Sequence, residues 1–374
     1  MRTISLALLS VAFLLFLNFT DYLDGRDTCV FRTGALLVGP NLYNSDLQRG
    51  MQPEQEHMTP FYRAPFYAAL LRPLIYLHFD LAWLLVRLAA ALGFIYLLHR
   101  LIGSAPWWIP WLAMLFFPLQ RSFEIHQDGV LMLCALAGVL LLERNGQHVA
   151  AGLLLSLTLQ KPTSLLLLPV VILAQRRWRM LGGFVAGGSA LAALSLWIVG
   201  LGAFSDYRTL YTAYPHPFFA MPTARGIATD LEFPALAVLL TMLGIAAVVV
   251  ASRRSDFITA FCIGIVGSVF IGPHNLQHDL ALLALPVIYF VAKGSREMRW
   301  SSVALMFPPV FYLYRLPPPY TALHGLTILA YLMALTWGYL NMRTPAAEPA
   351  SSLPRRNSSH SKVPPMTQPQ LIPE

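Results

Sequence analysis

The sequence predicts an all-α membrane protein, a multi-pass bundle of about twelve transmembrane helices with a long outer first loop carrying interfacial helices. Three observations predict it. Of 374 residues, 56% are hydrophobic and 12% charged, about half the roughly 25% of charged residues with which a soluble domain covers itself. Apolar stretches approaching the roughly 20 residues needed to cross a bilayer recur along the chain, separated by polar turns. The basic residues gather in alternate turns, as the positive-inside rule requires.

The first stretch, 4–20 (ISLALLSVAFLLFLNFT), follows Arg2. It reads as a retained span, because Asn18-Phe19-Thr20-Asp21 offers no small-residue cleavage site of a signal peptide. Residues 21–79 form the long outer loop, which mixes Val30, Phe31, Leu42, Tyr43, Phe61, Tyr62, Phe66 and Tyr67 with charges, a composition suited to short interfacial helices. Further spans are expected near 80–101, 104–120, 129–143, 148–160, 163–174, 180–201, 233–252, 257–271, 280–292, 299–315 and 321–340. A second long outer loop, 202–232, is rich in Tyr, Phe and Pro. The domain organisation is thus a polytopic unit over 1–340, followed by a Pro- and Ser-rich disordered cytoplasmic tail at 341–374.

With Arg2 in the cytoplasm and one crossing per stretch, both termini are cytoplasmic in a cell membrane, and the clusters RRWR, SRRSD and KGSREMRW fall on the inner side. Thirteen of the 18 acidic residues fall outside, so the inner side carries +10, the outer side −3, and Arg87 lies within a span. The overall charge of +8 therefore records topology and gives no support to nucleic-acid binding. Three scattered cysteines (Cys29, Cys134, Cys262) exclude a disulfide framework and a Cys-x-x-Cys metal site.

The sequence has no phosphate-binding G-x-x-x-x-G-K-[ST] loop, no H-E-x-x-H pattern and no serine-hydrolase pattern. What remains is a set of groups on the outer loops: Asp27, Arg63, His126, Gln127, Lys161, His274, His278 and Asp279. Each has a bland alternative. Asp27 has charged neighbours and fits an exposed loop acid; Lys161, between two apolar runs, fits an ion pair or a lysine reaching the interface. Asp279 fits a first helical turn, where the helix dipole favours an acid. His274 and His278 have the spacing of two metal ligands on one helix, but Pro273 and Asn275 argue for a loop there, so no metal is assigned.

The string RDTCVFRTGALLVGPNLYNSD (26–46) resembles the opening pattern of the GT87 (DUF2029) family of polytopic glycosyltransferases, with Asp27, Phe31, Ala35, Gly39 and Tyr43 in matching positions. Four later stretches resemble family segments in the same order: FYRAPFYAALLRPLIYL (61–77), FEIHQDGVLML (123–133), the 150–179 stretch around Gln160-Lys161-Pro162, and GPHNLQHDLALLALP (272–286). The sequence departs from the pattern at Thr28, at His126, at Asp128-Gly129 and at His278.

The resemblance implies a GT-C-type fold, a polyprenyl-phosphate sugar donor, typically of mannose, and a glycan or glycolipid acceptor at the outer leaflet. No bound cofactor is expected, because the lipid-linked sugar is a co-substrate. Inverting transfer needs one carboxylate to accept the acceptor proton and donors to hold the leaving phosphate. Asp27 suits the first role; Arg63, His126, Gln127, Lys161, His274, His278 and Asp279 are the candidates for substrate contact. Two other readings stay open: a lipid-linked glycan ligase or polymerase with a diphosphate donor, and a secondary transporter, although the chain shows no convincing internal repeat.

Overall fold

The computed structural model describes residues 26–52, 59–214 and 221–341, together with Ala12. The expected first span at 4–20 and, beyond Asn341, the expected tail lie outside the described residues, and so do both termini. Among the described residues every regular element is helical. The first long loop folds into α1 (Arg26–Leu36), α2 (Ser45–Gly50) and α3 (Pro65–Leu71). There follow α4 (Phe79–Ile102), α5 (Phe117–Glu124), α6 (Gly129–Arg144), α7 (His148–Ser156), α8 (Leu168–Ala174), α9 (Trp178–Val199) and α10 (Ala203–Ala213). The chain continues with α11 (Ala224–Asp230), α12 (Pro234–Arg254), α13 (Phe257–Ile271), α14 (Ala284–Lys293), α15 (Arg296–Leu305) and α16 (Ala322–Leu340).

Four of these, α4, α9, α12 and α16, are long and apolar enough to cross a membrane unaided, and the chain is a membrane protein. The other expected spans are shorter or broken. The stretch 104–120 becomes a 3-10 turn at Ile109–Leu115 followed by α5, and 163–174 becomes a turn at Pro162–Ser164 followed by α8. Likewise 280–292 joins a 3-10 turn at Gln277–Leu283 to α14, and 299–315 joins α15 to a turn at Pro308–Arg315. Prolines explain the breaks: Pro110, Pro118, Pro162, Pro169 and Pro308 each sit in the first turn of a piece, where the missing N–H costs least. Hydropathy does not register such interruptions. Broken backbone among apolar segments persists only where protein groups satisfy it. Here Ser268 Oγ accepts from Leu167 N at 2.9 Å, Asn275 Nδ2 donates to Val269 O at 2.9 Å, and Gln120 Nε2 donates to Met114 O at 2.8 Å.

The centre of the bundle is α13, in which thirteen of fifteen residues are buried. A helix that is apolar all round belongs inside. The long α9 and α12 lie outside it and expose Trp197, Val238 and Leu239. Glycines set the closest helix contact: a Cβ on Gly183 of α9 would stand 2.2 Å from the carbonyl oxygen of Val149, and one on Gly152 of α7 2.0 Å from that of Met180. Only residues without a side chain let two helix backbones approach so closely.

The two ends of the bundle differ in chemistry. At one, the basic turns meet: Arg144 donates to the carbonyls of Arg100 and Leu101, Arg177 pairs with Glu143, Gln175 reaches Ser252 and Ser255, and Lys293 reaches Ser104. At the other, the loops that carry the candidate residues meet. The basic turns that the sequence assigns to one side are thus neighbours in the packing.

Candidate active site

A second apolar core supports this end of the bundle. Val30, Phe31, Tyr43, Phe61, Phe66, Tyr67 and Trp83 are all buried in it, so the first loop is packed structure tied to the start of α4. Gln48 fastens it, donating to Leu42 O and accepting from Phe61 N, each at 2.8 Å. The extended segment before α3 then holds Arg63 in place. Its carbonyl accepts from Tyr43 Oη at 2.8 Å, and its guanidinium carbon lies 5.9 Å from the Phe31 ring centroid.

The turn between α5 and α6 faces Arg63. His126 adopts φ 63°, left-handed backbone that is uncommon for any residue but glycine, although histidine is among the enriched exceptions. Three bonds hold this turn. Trp83 Nε1 donates to His126 O at 3.0 Å, Arg87 Nη1 donates to Phe123 O at 2.8 Å, and the Thr28 hydroxyl bonds His126 Nδ1. Arg87, expected within a span, thus uses its charge to position the turn. The twist presents Gln127 and Asp128 to Arg63, whose Nη2 lies 3.2 Å from Gln127 Oε1 and 2.8 Å from Asp128 Oδ1.

Asp128 occupies the N-cap position of α6 yet makes no capping bond with its side chain. It is buried and pairs with Arg63 instead. Sequence reasoning passed over Asp128 as a departure from a family pattern. The available signal was an acid directly ahead of an apolar helix, which a cap explains equally well.

Lys161 lies between two 3-10 turns with φ −136° and ψ 75°; the proline that follows keeps it out of helical backbone. Ala64 N donates to Gln160 O at 3.3 Å, which sets the lysine beside the Arg63 segment. Its ammonium pairs with Asp279 in the 3-10 turn Gln277–Leu283, and both side chains are buried. The second oxygen of Asp279, Oδ2, accepts from Leu276 N at 2.8 Å, and His278 Nε2 lies 3.8 Å from that same oxygen. The ion pair considered for Lys161 and the first-turn position considered for Asp279 therefore both occur, on the two oxygens of one carboxylate.

Asp27 stands in the first turn of α1 and keeps a partial opening to solvent. Burial pushes its carboxyl up to about 6, against a hydrogen bond from Gln127 and the charge of Arg63, which pull it down. Gln127 thus joins the two, accepting from Arg63 and donating to Asp27. Burial alone would raise Asp279, but Lys161 and His278 hold it well below the usual carboxylate range. Burial pushes His278 down to about 4 against the pull of Asp279, so near neutrality it is an uncharged imidazole.

The structure therefore draws Asp27, Arg63, His126, Gln127, Lys161, His278 and Asp279 to one end of the bundle. His274 lies half-buried on the turn ahead of the Gln277–Leu283 element, so the two histidines do not share the face of one α-helix. Among the described residues no group of three His, Cys, Asp or Glu side chains has metal-holding geometry. Beside the cluster an apolar cavity of about 400 Å³ runs between α3, α9 and α10. Tyr62, Pro65, Gln160, Pro162, Leu191 and Phe204 are among its lining residues.

Among known proteins, the sequence profile of glycosyltransferase family 87 matches residues 61–307. The match takes in Arg63, His126, Gln127, Lys161, His274, His278 and Asp279 and leaves Asp27 ahead of it. No curated protein and no solved structure matches the chain.

Proposed function

The chain belongs to glycosyltransferase family 87 and is a membrane-bound enzyme with a sugar donor and an acceptor; from that premise we propose that it moves a hexose, mannose first, from a polyprenyl phosphate to a glycan or glycolipid hydroxyl at the outer membrane face, with inversion. The observation that carries this reading is the juxtaposition of the apolar cavity with the charged cluster. The cavity has the apolar lining an isoprenoid chain requires, and that lining includes Tyr62 and Ala64, which flank Arg63, and Gln160 and Pro162, which flank Lys161.

In the proposed step the acceptor oxygen attacks the anomeric carbon from the face opposite the phosphate. Its proton passes to the Asp27 carboxylate, and the bond from carbon to phosphate oxygen breaks with the electron pair leaving on the polyprenyl phosphate. A carboxyl held near 6 suits a base working near neutral pH, where it is ionised yet still takes a proton. Arg63 and Lys161 supply charge at the leaving phosphate, where negative charge develops. With five and three N–H donors respectively, each has more donors than its carboxylate partner takes up. His278, neutral at working pH, offers a hydrogen bond without adding charge. The turn 126–128 serves to orient Asp27 through Gln127.

The test is transfer by the purified protein in liposomes, supplied with polyprenyl-phosphate mannose or glucose, comparing wild type with Asp27→Asn. The expected result is donor-dependent transfer that falls by at least about a hundredfold in the variant, the usual scale of a general-base contribution. Equal activity of the two proteins would remove Asp27 from the chemistry. Turnover of a diphosphate-linked donor alone would replace the donor class.

A further inference from the structure

At the end of the bundle opposite the charged cluster, α4, α6 and α7 enclose an open cavity of about 550 Å³. From Gly129 to Arg144, α6 rises roughly 22 Å at 1.5 Å per residue, so this cavity lies most of a hydrocarbon thickness from the site. Its walls are apolar, formed by Leu97, Leu141, Leu142 and Leu154, with Gly138 among them. A Cβ at Gly138 would stand 2.9 Å from Leu154 Cδ2, and the glycine keeps that space open.

The rim is basic. Arg100 is exposed, donates to the Tyr96 hydroxyl at 3.0 Å and stacks its guanidinium 5.9 Å from that ring's centroid. Arg144 donates to Arg100 O and Leu101 O at 3.3 and 3.0 Å, which fixes its guanidinium beside the Arg100 backbone, and both arginines line the same cavity. The adjacent acid, Glu143, is occupied by His148 at 2.7 Å and Arg177 at 3.1 Å and does not neutralise them. Around the mouth Leu92, Tyr96 and Leu153 are exposed, the surface of a helix face turned toward lipid.

We propose that this cavity binds an anionic phospholipid, with the phosphate between Arg100 and Arg144 and an acyl chain along the leucine wall. A soluble anion would use the rim and leave the apolar wall uncovered; a neutral lipid would use the wall and leave two cations uncompensated. An anionic lipid satisfies both, and basic pockets at the ends of membrane helices take such headgroups by the same complementarity. The site is separate from the transfer reaction, and the proposal does not depend on the donor or on Asp27.

The experiment is native mass spectrometry of the full chain, delipidated in detergent and then offered phosphatidylglycerol or phosphatidylcholine at equal concentration. Wild type is expected to retain phosphatidylglycerol at least fivefold over phosphatidylcholine. Arg100→Gln should abolish the preference and Arg100→Lys should keep most of it, with thermal unfolding of each variant recorded alongside. Because Arg100 is exposed, its substitution leaves the fold intact even if Arg144→Gln, which removes two carbonyl contacts, does not. Equal retention of the two lipids, retention of neither, or an unchanged preference in Arg100→Gln would overturn the proposal. Displacement of the lipid by millimolar inorganic phosphate would overturn the lipid assignment and identify a free-anion site.

Discussion

Replacing Gln127 with Leu tests the coupling between the loop turn and Asp27 most directly. The substitution keeps the approximate volume and removes both polar ends, the acceptor 3.2 Å from Arg63 and the donor to the Asp27 carboxylate. Arg63 keeps its bond to Asp128 at 2.8 Å, so the principal loss falls on Asp27. A hydrogen bond to a charged group contributes about 1.5–3 kcal/mol, and one pKa unit corresponds to 1.36 kcal/mol. Because Asp27 is partly open to solvent, the lower end applies, about one unit. The sign follows from which form is stabilised. Gln127 favours the ionised carboxylate, so its loss makes protonation easier and moves the value from about 6 upward to about 7. A general base works only when ionised, so the acid limb of the kcat/KM profile should move up by the same unit. At pH 6 the ionised fraction then falls from about a half to about a tenth, a fivefold loss of rate, while at pH 8.5 the two proteins converge. The assay is initial-rate transfer from the lipid donor across pH 5 to 9. A uniform loss at every pH would show that Gln127 only holds the turn, and a limb that stays or moves down would refute the coupling.

Two other substitutions probe the supports of the site. Asp279→Asn leaves the buried Lys161 ammonium without its partner and should destabilise the protein by about 3–5 kcal/mol. Adding Lys161→Met to that variant should recover most of the loss in thermal unfolding, and a double variant no more stable than the single would refute the reading. Because the Asp279 carboxyl is held below its ordinary 3.8, this stabilisation is fully present above that pH and is lost only as the pH falls further, so it should not vary between pH 5 and 8. Arg87→Leu removes the donor to Phe123 O and releases one of the three anchors of the 126–128 turn; kcat should drop by about tenfold to a hundredfold, the scale of a small misplacement of reacting groups. Unchanged kcat with lowered stability would make Arg87 a packing residue.

The class of molecule and the grouping of its basic turns were legible in the order of residues alone. Hydropathy and charge are summed over a segment, so the scarcity of charge and the grouping of Arg176, Arg177, Arg253, Arg254 and Lys293 need no tertiary structure to be seen. Proline-interrupted stretches such as 104–120 read as spans because the same sum does not register a missing N–H; the fold splits them and satisfies the exposed backbone with Ser268, Asn275 and Gln120. The roll of polar candidates was legible too, since ionisable groups are costly near apolar helices and stand out. Their partners were not. Arg63 and Asp128 are 65 residues apart and Lys161 and Asp279 118 apart, and which carboxylate meets which cation depends on how the loops close over one another. Asp128 had the features of a helix cap and became the partner of Arg63, and Asp27 had those of a surface acid and acquired its raised carboxyl from burial beside Gln127. Pairing and burial arise where distant segments meet, so they are settled by the folded chain and carry no local mark along it.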